Sequence, residues 1–389
     1  MIIGVDLSRN ALPRVETQTG AGDEISGRRP LRVGLVIGQL TTGGAEGQLW
    51  LLCRGLDRAR FTPVVYCLSD KTEPYGARIE ATGTPVRIIA GSRLTRVRTL
   101  RRWLVADRID LVHAWLFIAN GFAWVANWST AQPLITSARN CKQQGRMLNV
   151  LNRRAFQASS AIVVNSNDVG TYIADRYSAP QDRIRVIYNG VDTERFHPDS
   201  SADDEASGIV GPIVSIGRLV PQKNHELFLQ AARQLSDEIS AVRFVIVGDG
   251  PLRATLTERA RALGIAERVS FVGERADVED ILRSASLLWL PSRTEGLANV
   301  VLEALASGVP TIATDVGGTC ELIRTGVEGF VVPQEDAAAF AQRSRNILLD
   351  SSMRRRFRRA ARARAEQFSI ARMVAACAQL YGEVSASTN

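Results

Sequence analysis

Histidine is scarce in this 389-residue chain, with three residues (His113, His197 and His225), and the sequence D-x-D does not occur. At these spacings neither the histidines nor any acidic pair makes a recognisable divalent-metal site, so no metal cofactor is expected. The five cysteines (Cys53, Cys67, Cys141, Cys320 and Cys377) are odd in number and include no C-x-x-C pair. Their scatter excludes a disulfide framework or a thiolate zinc site and points to a reducing, cytoplasmic compartment. Internal repeats are absent, and 45% hydrophobic with 23% charged residues, 31 Gly and 14 Pro excludes collagen-like, coiled-coil or wholly disordered classes. Residues 1–29 contain no continuous apolar core ahead of a small-residue cleavage site, so they read as a flexible tail and not as a secretory leader.

Long hydrophobic runs are nearly absent too. The one run of spanning length, Leu111 to Trp128, is broken by Asn120, Gly121 and Asn127, and it reads as a buried strand, loop and helix. Positive charge, by contrast, is in surplus: the net charge is +8, and residues 91–160 hold eleven Lys/Arg against Asp107 and Asp110. Four of the six tryptophans (Trp103, Trp115, Trp124 and Trp128) lie in that stretch. The combination suits an anionic membrane surface, while core packing explains tryptophans equally well. A second run, Met353 to Arg364, has seven arginines and no acid, and it reads as a solvated helix face.

At roughly 150 residues per domain the length implies two domains. Short β-branched runs alternate with helix-length segments twice, the pattern of parallel sheets covered by helices. The first set falls near Arg32–Ile37, Pro63–Leu68, Val86–Ile89, Asp110–His113, Leu134–Ser137, Ala161–Asn165 and Arg185–Tyr188. The second falls near Ile213–Ile216, Arg243–Val247, Val269–Val272, Leu287–Leu290, Thr311–Ala313 and Phe330–Val332. Between them HPDSSADDEASG, residues 197–208, offers nothing to bury and reads as a linker. Two Rossmann-like domains, 30–196 and 209–369, therefore face a cleft, with functional residues in the loops after the strands.

Those loops carry candidate chemistry. Gly43 and Gly44 precede a helix whose free N–H groups could meet a phosphate, although a tight turn explains two glycines as well. In GRLVPQKN, Arg218 and Lys223 are two cations on one short loop, suited to gripping a diphosphate. The segment RTEGLANVVLEALASGVP predicts a helix over Leu297 to Ser307, capped near Ser292 or Thr294. Glu295 lies before it and Glu303 inside it; facing a diphosphate either would be repelled, so both read as binders of sugar or ribose hydroxyls. Gly317, Gly318 and Glu321 in TDVGGTCELI occupy a further loop, where backbone amides freed by the glycines could meet the ligand's sugar or phosphate, although a turn explains the motif by itself.

Taken in order, GGAE, VVNSND, YNGVDTERF, GRLVPQKN, EGLANVVLE followed by ALASGVP, and TDVGG..E resemble the retaining family 4 glycosyltransferases of two-Rossmann GT-B fold, from about Leu31 to Tyr381. The resemblance implies that Arg218 and Lys223 bind a donor diphosphate, helped by amides around Gly44 and at Leu297, Ala298, Asn299 and Val300. It implies Glu303 on the ribose, Glu295 on the transferred sugar, and a base pocket near Gly273, Glu274 and Arg275. His113 matches an active-site histidine of many members. Arg139 and Asn140 are candidate acceptor contacts. Residues 370–389 resemble a C-terminal helix crossing back onto the first domain.

The expected partners are a nucleotide-sugar donor, with a UDP-sugar as the default, and a glycan or polyprenyl-diphosphate-linked saccharide acceptor, as in cell-surface polysaccharide synthesis. With the basic stretch 91–160 the chain could sit peripherally on the inner face of a membrane. A sugar-nucleotide epimerase of the same fold is the enzyme alternative. A basic nucleic-acid-binding protein is the non-enzyme alternative, but no nucleic-acid motif accompanies the charge.

Overall fold

The computed structural model describes residues 29–130, 132–141, 145–198 and 211–387. The tail at 1–28, the linker from 199 to 208 and Lys142 of the basic stretch lie outside the described residues. The domains are built from two parallel sheets. The first comprises β1 (Leu31–Ile37), β2 (Phe61–Cys67), β3 (Val86–Ile88), β4 (Leu111–Trp115), β5 (Leu134–Ala138), β6 (Ala161–Val164) and β7 (Ile184–Val186), in the order β3-β2-β1-β4-β5-β6-β7. The second comprises β8 (Ile213–Ile216), β9 (Phe244–Val247), β10 (Val269–Gly273), β11 (Leu287–Leu290), β12 (Thr311–Thr314) and β13 (Gly329–Val332), in the order β10-β9-β8-β11-β12-β13. Helices on both faces bury both sides of the central strands, which is why β4 and β5 are buried at every position.

Each sheet reverses its strand order once, between β1 and β4 and between β8 and β11. At such a reversal the flanking loops diverge to opposite faces and leave a crevice at the carboxyl ends of the strands. Helices α1 (Gly44–Gly55) and α2 (Tyr75–Glu80) follow β1 and β2, while α3 (Arg93–Ala106), α4 (Leu116–Asn127), α5 (Arg146–Ala158) and α6 (Asn167–Tyr177) follow β3 to β6. Right-handed crossovers place these two groups on opposite faces of the first sheet. The second domain adds α7 (His225–Glu238), α8 (Arg253–Ala262), α9 (Val278–Ser284), α10 (Asn299–Ala306), α11 (Thr319–Leu322), α12 (Ala337–Leu349) and α13 (Ser351–Ala365), and the last helix, α14 (Ile370–Ala386), packs on the first domain.

Three local expectations are corrected. The fourth strand begins at Leu111, not Asp110, because the Asp110 carboxylate accepts hydrogen bonds from Arg32 N at 2.8 Å and from Arg29 at 2.7 Å. The spanning-length run is a strand followed directly by a helix, with the turn made at Leu116, φ 71°. Among the described residues no helix is long and apolar enough to cross a membrane. The arginine run is only partly solvated: Arg364 is buried and donates to Glu321 O at 2.7 Å, and Arg362 donates to Thr193 O, Phe196 O and Ala306 O at 2.9 to 3.1 Å. These two side chains join α13 to neighbouring loops instead of facing water.

The chain passes between domains twice, side by side. Val191 N donates to Phe368 O at 2.8 Å and Ile370 N to Val191 O at 3.2 Å. Beyond this crossing α14 returns to the first domain, where Met373, Val374, Cys377, Leu380 and Tyr381 join the core made by α1, β1 and β4. Gly55 gives α14 its close approach, since a Cβ there would lie 2.7 Å from Val374 Cγ2.

Candidate active site

The crevice beside β8 and β11 collects most of the candidate residues. The loop after β8 turns sharply through Asn224, φ 49°, into α7, leaving Arg218 exposed at the cleft and folding Lys223 back over Gly217. Lys223 Nζ donates to Glu295 Oε1 at 2.6 Å, and Ser292 Oγ donates to the same oxygen at 2.7 Å. Both members of the pair are largely covered, so the attraction is less screened than a surface pair would be. Ser292 therefore orients Glu295 and does not cap the following helix.

That helix, α10, starts at Asn299, two residues later than the sequence pattern predicts, with Ala298 as an N-cap that has no capping side chain. Leu297 and Ala298 lie in the preceding loop, and Val300 is in the first turn. Across the cleft α1 likewise begins at Gly43 without a side-chain cap. The two meet: Asn299 Nδ2 donates to Gly44 O at 3.2 Å, and a Cβ on Gly44 would lie 3.1 Å from that nitrogen. Two helix N-termini, each carrying partial positive charge, thus converge on the region where Arg218 and Lys223 stand.

Glu303 sits one turn further along α10 and lines an interdomain cavity of about 140 Å³ with Gly43, Trp50, Tyr75, Arg195 and Asn299. Burial pushes its carboxyl up to about 7, only partly offset by Arg195. Arg195 is held by Glu279 at 2.7 Å and donates to Ala276 O at 3.2 Å. The loop with Gly273, Glu274 and Arg275 ends at the same place, with Gly273 O accepting from Gly248 N at 2.7 Å and Arg275 paired to Asp277 at 2.6 Å.

The crevice beside β1 and β4 differs. His113 is wholly buried, its Nδ1 hydrogen-bonded to Tyr381 Oη at 2.8 Å and its Nε2 to Ser137 Oγ at 2.7 Å. Burial drives its pKa down to about 3, so it is neutral at ordinary pH. In this arrangement His113 fastens α14 to the sheet, each ring nitrogen being engaged by a neighbouring hydroxyl. Arg139 lies over the Trp115 ring at 4.0 Å and donates through Nη1 to Asn189 Oδ1 at 2.8 Å, while its buried Nε and Nη2 have no partner among the described residues. Asn140 follows it against Gly296, whose lack of a side chain lets the Arg139 carbonyl approach closely.

Several residues outside the predicted set tie the domains together. Asn189 Nδ2 donates to Asn299 Oδ1 at 2.6 Å, continuing the line from Arg139 to the start of α10. Glu321 joins the domains: its carboxylate accepts from Asn167 N and Nδ2 and from Tyr188 Oη at 2.6 to 2.9 Å, at the start of α6 in the other domain. Glu46 folds its buried carboxylate against Gly43, and burial raises its pKa despite Arg218 across the cleft. Gln48 brackets Gly190 with bonds of 2.9 and 2.7 Å. For Glu46 and Asn189 the short motifs GGAE and YNG were the available signals; nothing in the sequence singles out Gln48.

Two family descriptions match, "Glycosyltransferase Family 4" over residues 42–195 and "Glycosyl transferases group 1" over residues 210–364. The chain belongs to glycosyltransferase family 4. This family 4 chain is 29% identical over 315 residues to the D-inositol 3-phosphate glycosyltransferase of Salinispora arenicola, an alignment covering 72% of it and 70% of that protein. It is 27% identical over 304 residues to the putative glycosyltransferase EpsF of Bacillus subtilis, covering 73% and 79% respectively. The crystal structure of Anabaena HepE in complex with UDP matches with a TM-score of 0.81 at 21% identity, covering 91% of this chain and 100% of that one. The GT-B fold expected from the motifs is thus borne out, and the family 4 chain is a glycosyltransferase with two Rossmann-like domains.

Proposed function

We propose that the protein is a retaining, metal-independent glycosyltransferase that moves a sugar from a nucleotide-sugar to a glycan or lipid-linked saccharide. The observation that carries this reading is the convergence of Arg218, Lys223 and two uncapped helix N-termini at facing crevices. As the sugar–phosphate bond breaks, the departing nucleoside diphosphate gains negative charge, and fixed cations and oriented peptide dipoles stabilise it as a divalent ion would elsewhere. The acceptor oxygen forms its bond to the same face of the anomeric carbon that the phosphate leaves, and the departing phosphate oxygen takes the acceptor proton. Lys223 exchanges Glu295 for phosphate when donor binds, which frees Glu295 for the sugar hydroxyls. Glu303 takes the ribose.

UDP is the proposed base, supported by the HepE structures solved with UDP and with UDP-glucose. The unpartnered Nε and Nη2 of Arg139 suit an anionic group on the acceptor, in keeping with a phosphate-bearing acceptor in the name of the Salinispora relative. Closure of the two domains over the bound donor would exclude water from the reacting bond.

The test is a thermal-shift screen of UDP-, GDP- and ADP-sugars, followed by transfer assays to polyprenyl-diphosphate sugars with and without a chelator. Stabilisation by one UDP-sugar and chelator-resistant transfer are expected. Activity abolished by the chelator and restored by a divalent ion would end the metal-free reading, and free epimerised sugar nucleotide made without acceptor would end the transferase reading.

A further inference from the structure

We propose that the outer face formed by α3, α4 and α5 docks on an anionic lipid bilayer, lying in its interface without crossing it. The central helix, LFIANGFAWVAN, has no charged residue. Yet it turns Ile118, Phe122 and Val125 outward at helical spacing, with Ile118 51% exposed. Its neighbours extend the ridge through Leu94 on α3 and through Met147 and Val150 on α5, the last 61% exposed. α4 packs between α3 and α5, and the Arg93 guanidinium reaches Met147 Sδ at 3.9 Å across its start, so the three helices share one outer face. At the far end of α4, Trp128 is 75% exposed, stacks 5.6 Å from Trp124 and walls a depression of about 420 Å³. A soluble monomer seldom leaves so continuous an apolar ridge in water.

Charge identifies the occupant. Arg98, Arg101 and Arg102 on α3 and Arg153 and Arg154 on α5 are exposed on either side of the ridge, and among the described residues none has a carboxylate partner. The two acids of this stretch are spent inward: Asp107 accepts from Tyr66 and Arg87, and Asp110 from Arg29 and Arg32. Apolar and aromatic groups between rows of unneutralised arginines match the headgroup layer of an anionic leaflet, where rings and aliphatic chains enter the acyl boundary and cations meet phosphates. A nucleic acid would leave the ridge unsatisfied. Because each helix starts where its strand ends, Leu94, Ile118 and Met147 lie at the same edge of the sheet as the β1/β4 crevice. The bilayer would therefore abut the first domain's side of the cleft.

The assignment holds whichever donor is used. Its test is co-sedimentation of the full chain with vesicles of phosphatidylcholine alone or mixed with phosphatidylglycerol. Binding should be about tenfold or more tighter to the mixed vesicles and should weaken with salt. Arg101→Glu with Arg102→Glu, and separately Ile118→Ser with Val150→Ser, should each lower it about tenfold or more at an unchanged melting temperature, because all four side chains are exposed. Equal binding to neutral vesicles, or loss with the charge variant only, would overturn the interfacial docking. So would a dimer in light scattering that the Ile118→Ser, Val150→Ser variant dissociates, since the face would then belong to a second copy.

Discussion

Beside β8 and β11 the crevice carries groups that meet the cleft: an exposed Arg218, the Lys223–Glu295 pair at 2.6 Å and the open N-terminus of α10. Beside β1 and β4, in a sheet of the same topology, the polar groups are turned inward: His113 lies between Ser137 and Tyr381, Glu46 folds on Gly43, and Arg139 rests on Trp115. Strand order determines where a crevice opens. What a side chain there can do depends on what covers it: α14 packs on the first domain and reaches His113 through Tyr381, while Arg218 of the second domain stays exposed.

The largest expected effect separates the two crevices by activity. Arg218→Ala or Lys223→Ala should lower turnover about a hundredfold or more, as removal of a transition-state charge stabiliser does; unchanged steady-state kinetics in both variants would erase the distinction.

His113 probes the other side. Replacing it by Ala orphans Ser137 Oγ and Tyr381 Oη and leaves a cavity, so denaturant unfolding should show a loss of about 2–4 kcal/mol. Tyr381→Phe should cost about 1 kcal/mol. A His113→Ala protein as stable as its parent but catalytically dead would return the residue to the reacting centre.

Glu303 links stability to pH. Its folded pKa of about 7 lies above the ordinary 4.5, so the folded state holds an extra proton between these values. That contribution is complete below about pH 4.5 and is lost as pH rises through 7. Glu303→Gln should therefore be more stable than the parent by about 1–2 kcal/mol at about pH 8 and indistinguishable at about pH 4. A pH-independent difference would show that the carboxyl titrates normally.

The smallest effect concerns the interdomain clasp. Glu321→Ala removes the acceptor of Asn167 N and Tyr188 Oη while Ser166 still caps α6, and should cost about 1 kcal/mol, with solution scattering showing a more open average shape. An unchanged profile would leave closure to the other interdomain contacts, those of Asn299 with Gly44 and Asn189 among them.

Much of the fold was legible because parallel strands buried on both faces are written as short, continuous apolar runs, and all the runs predicted are strands with ends displaced by one or two residues. The displacements have side-chain causes that no periodicity reveals, such as the Asp110 carboxylate serving Arg32 N. Of the candidate site, Arg218, Lys223 and Glu295 in loops and Asn299 and Glu303 on α10 could be located because motif order and strand ends converge on them. What His113 touches could not, because its partner Tyr381 lies far away along the chain and reaches it only after α14 crosses back. The contacts of Glu321 were likewise hidden, because the start of α6 that it meets belongs to the other domain.

Composition and pattern alone determined two α/β domains, the loops in which chemistry had to lie and the surplus of arginine on the first domain, since these follow from local periodicity and charge. Only the tertiary structure decided which polar groups face the cleft and which are buried as fasteners. A side chain's ionisation and reach depend on the neighbours that exclude water from it, and those neighbours come from distant parts of the chain.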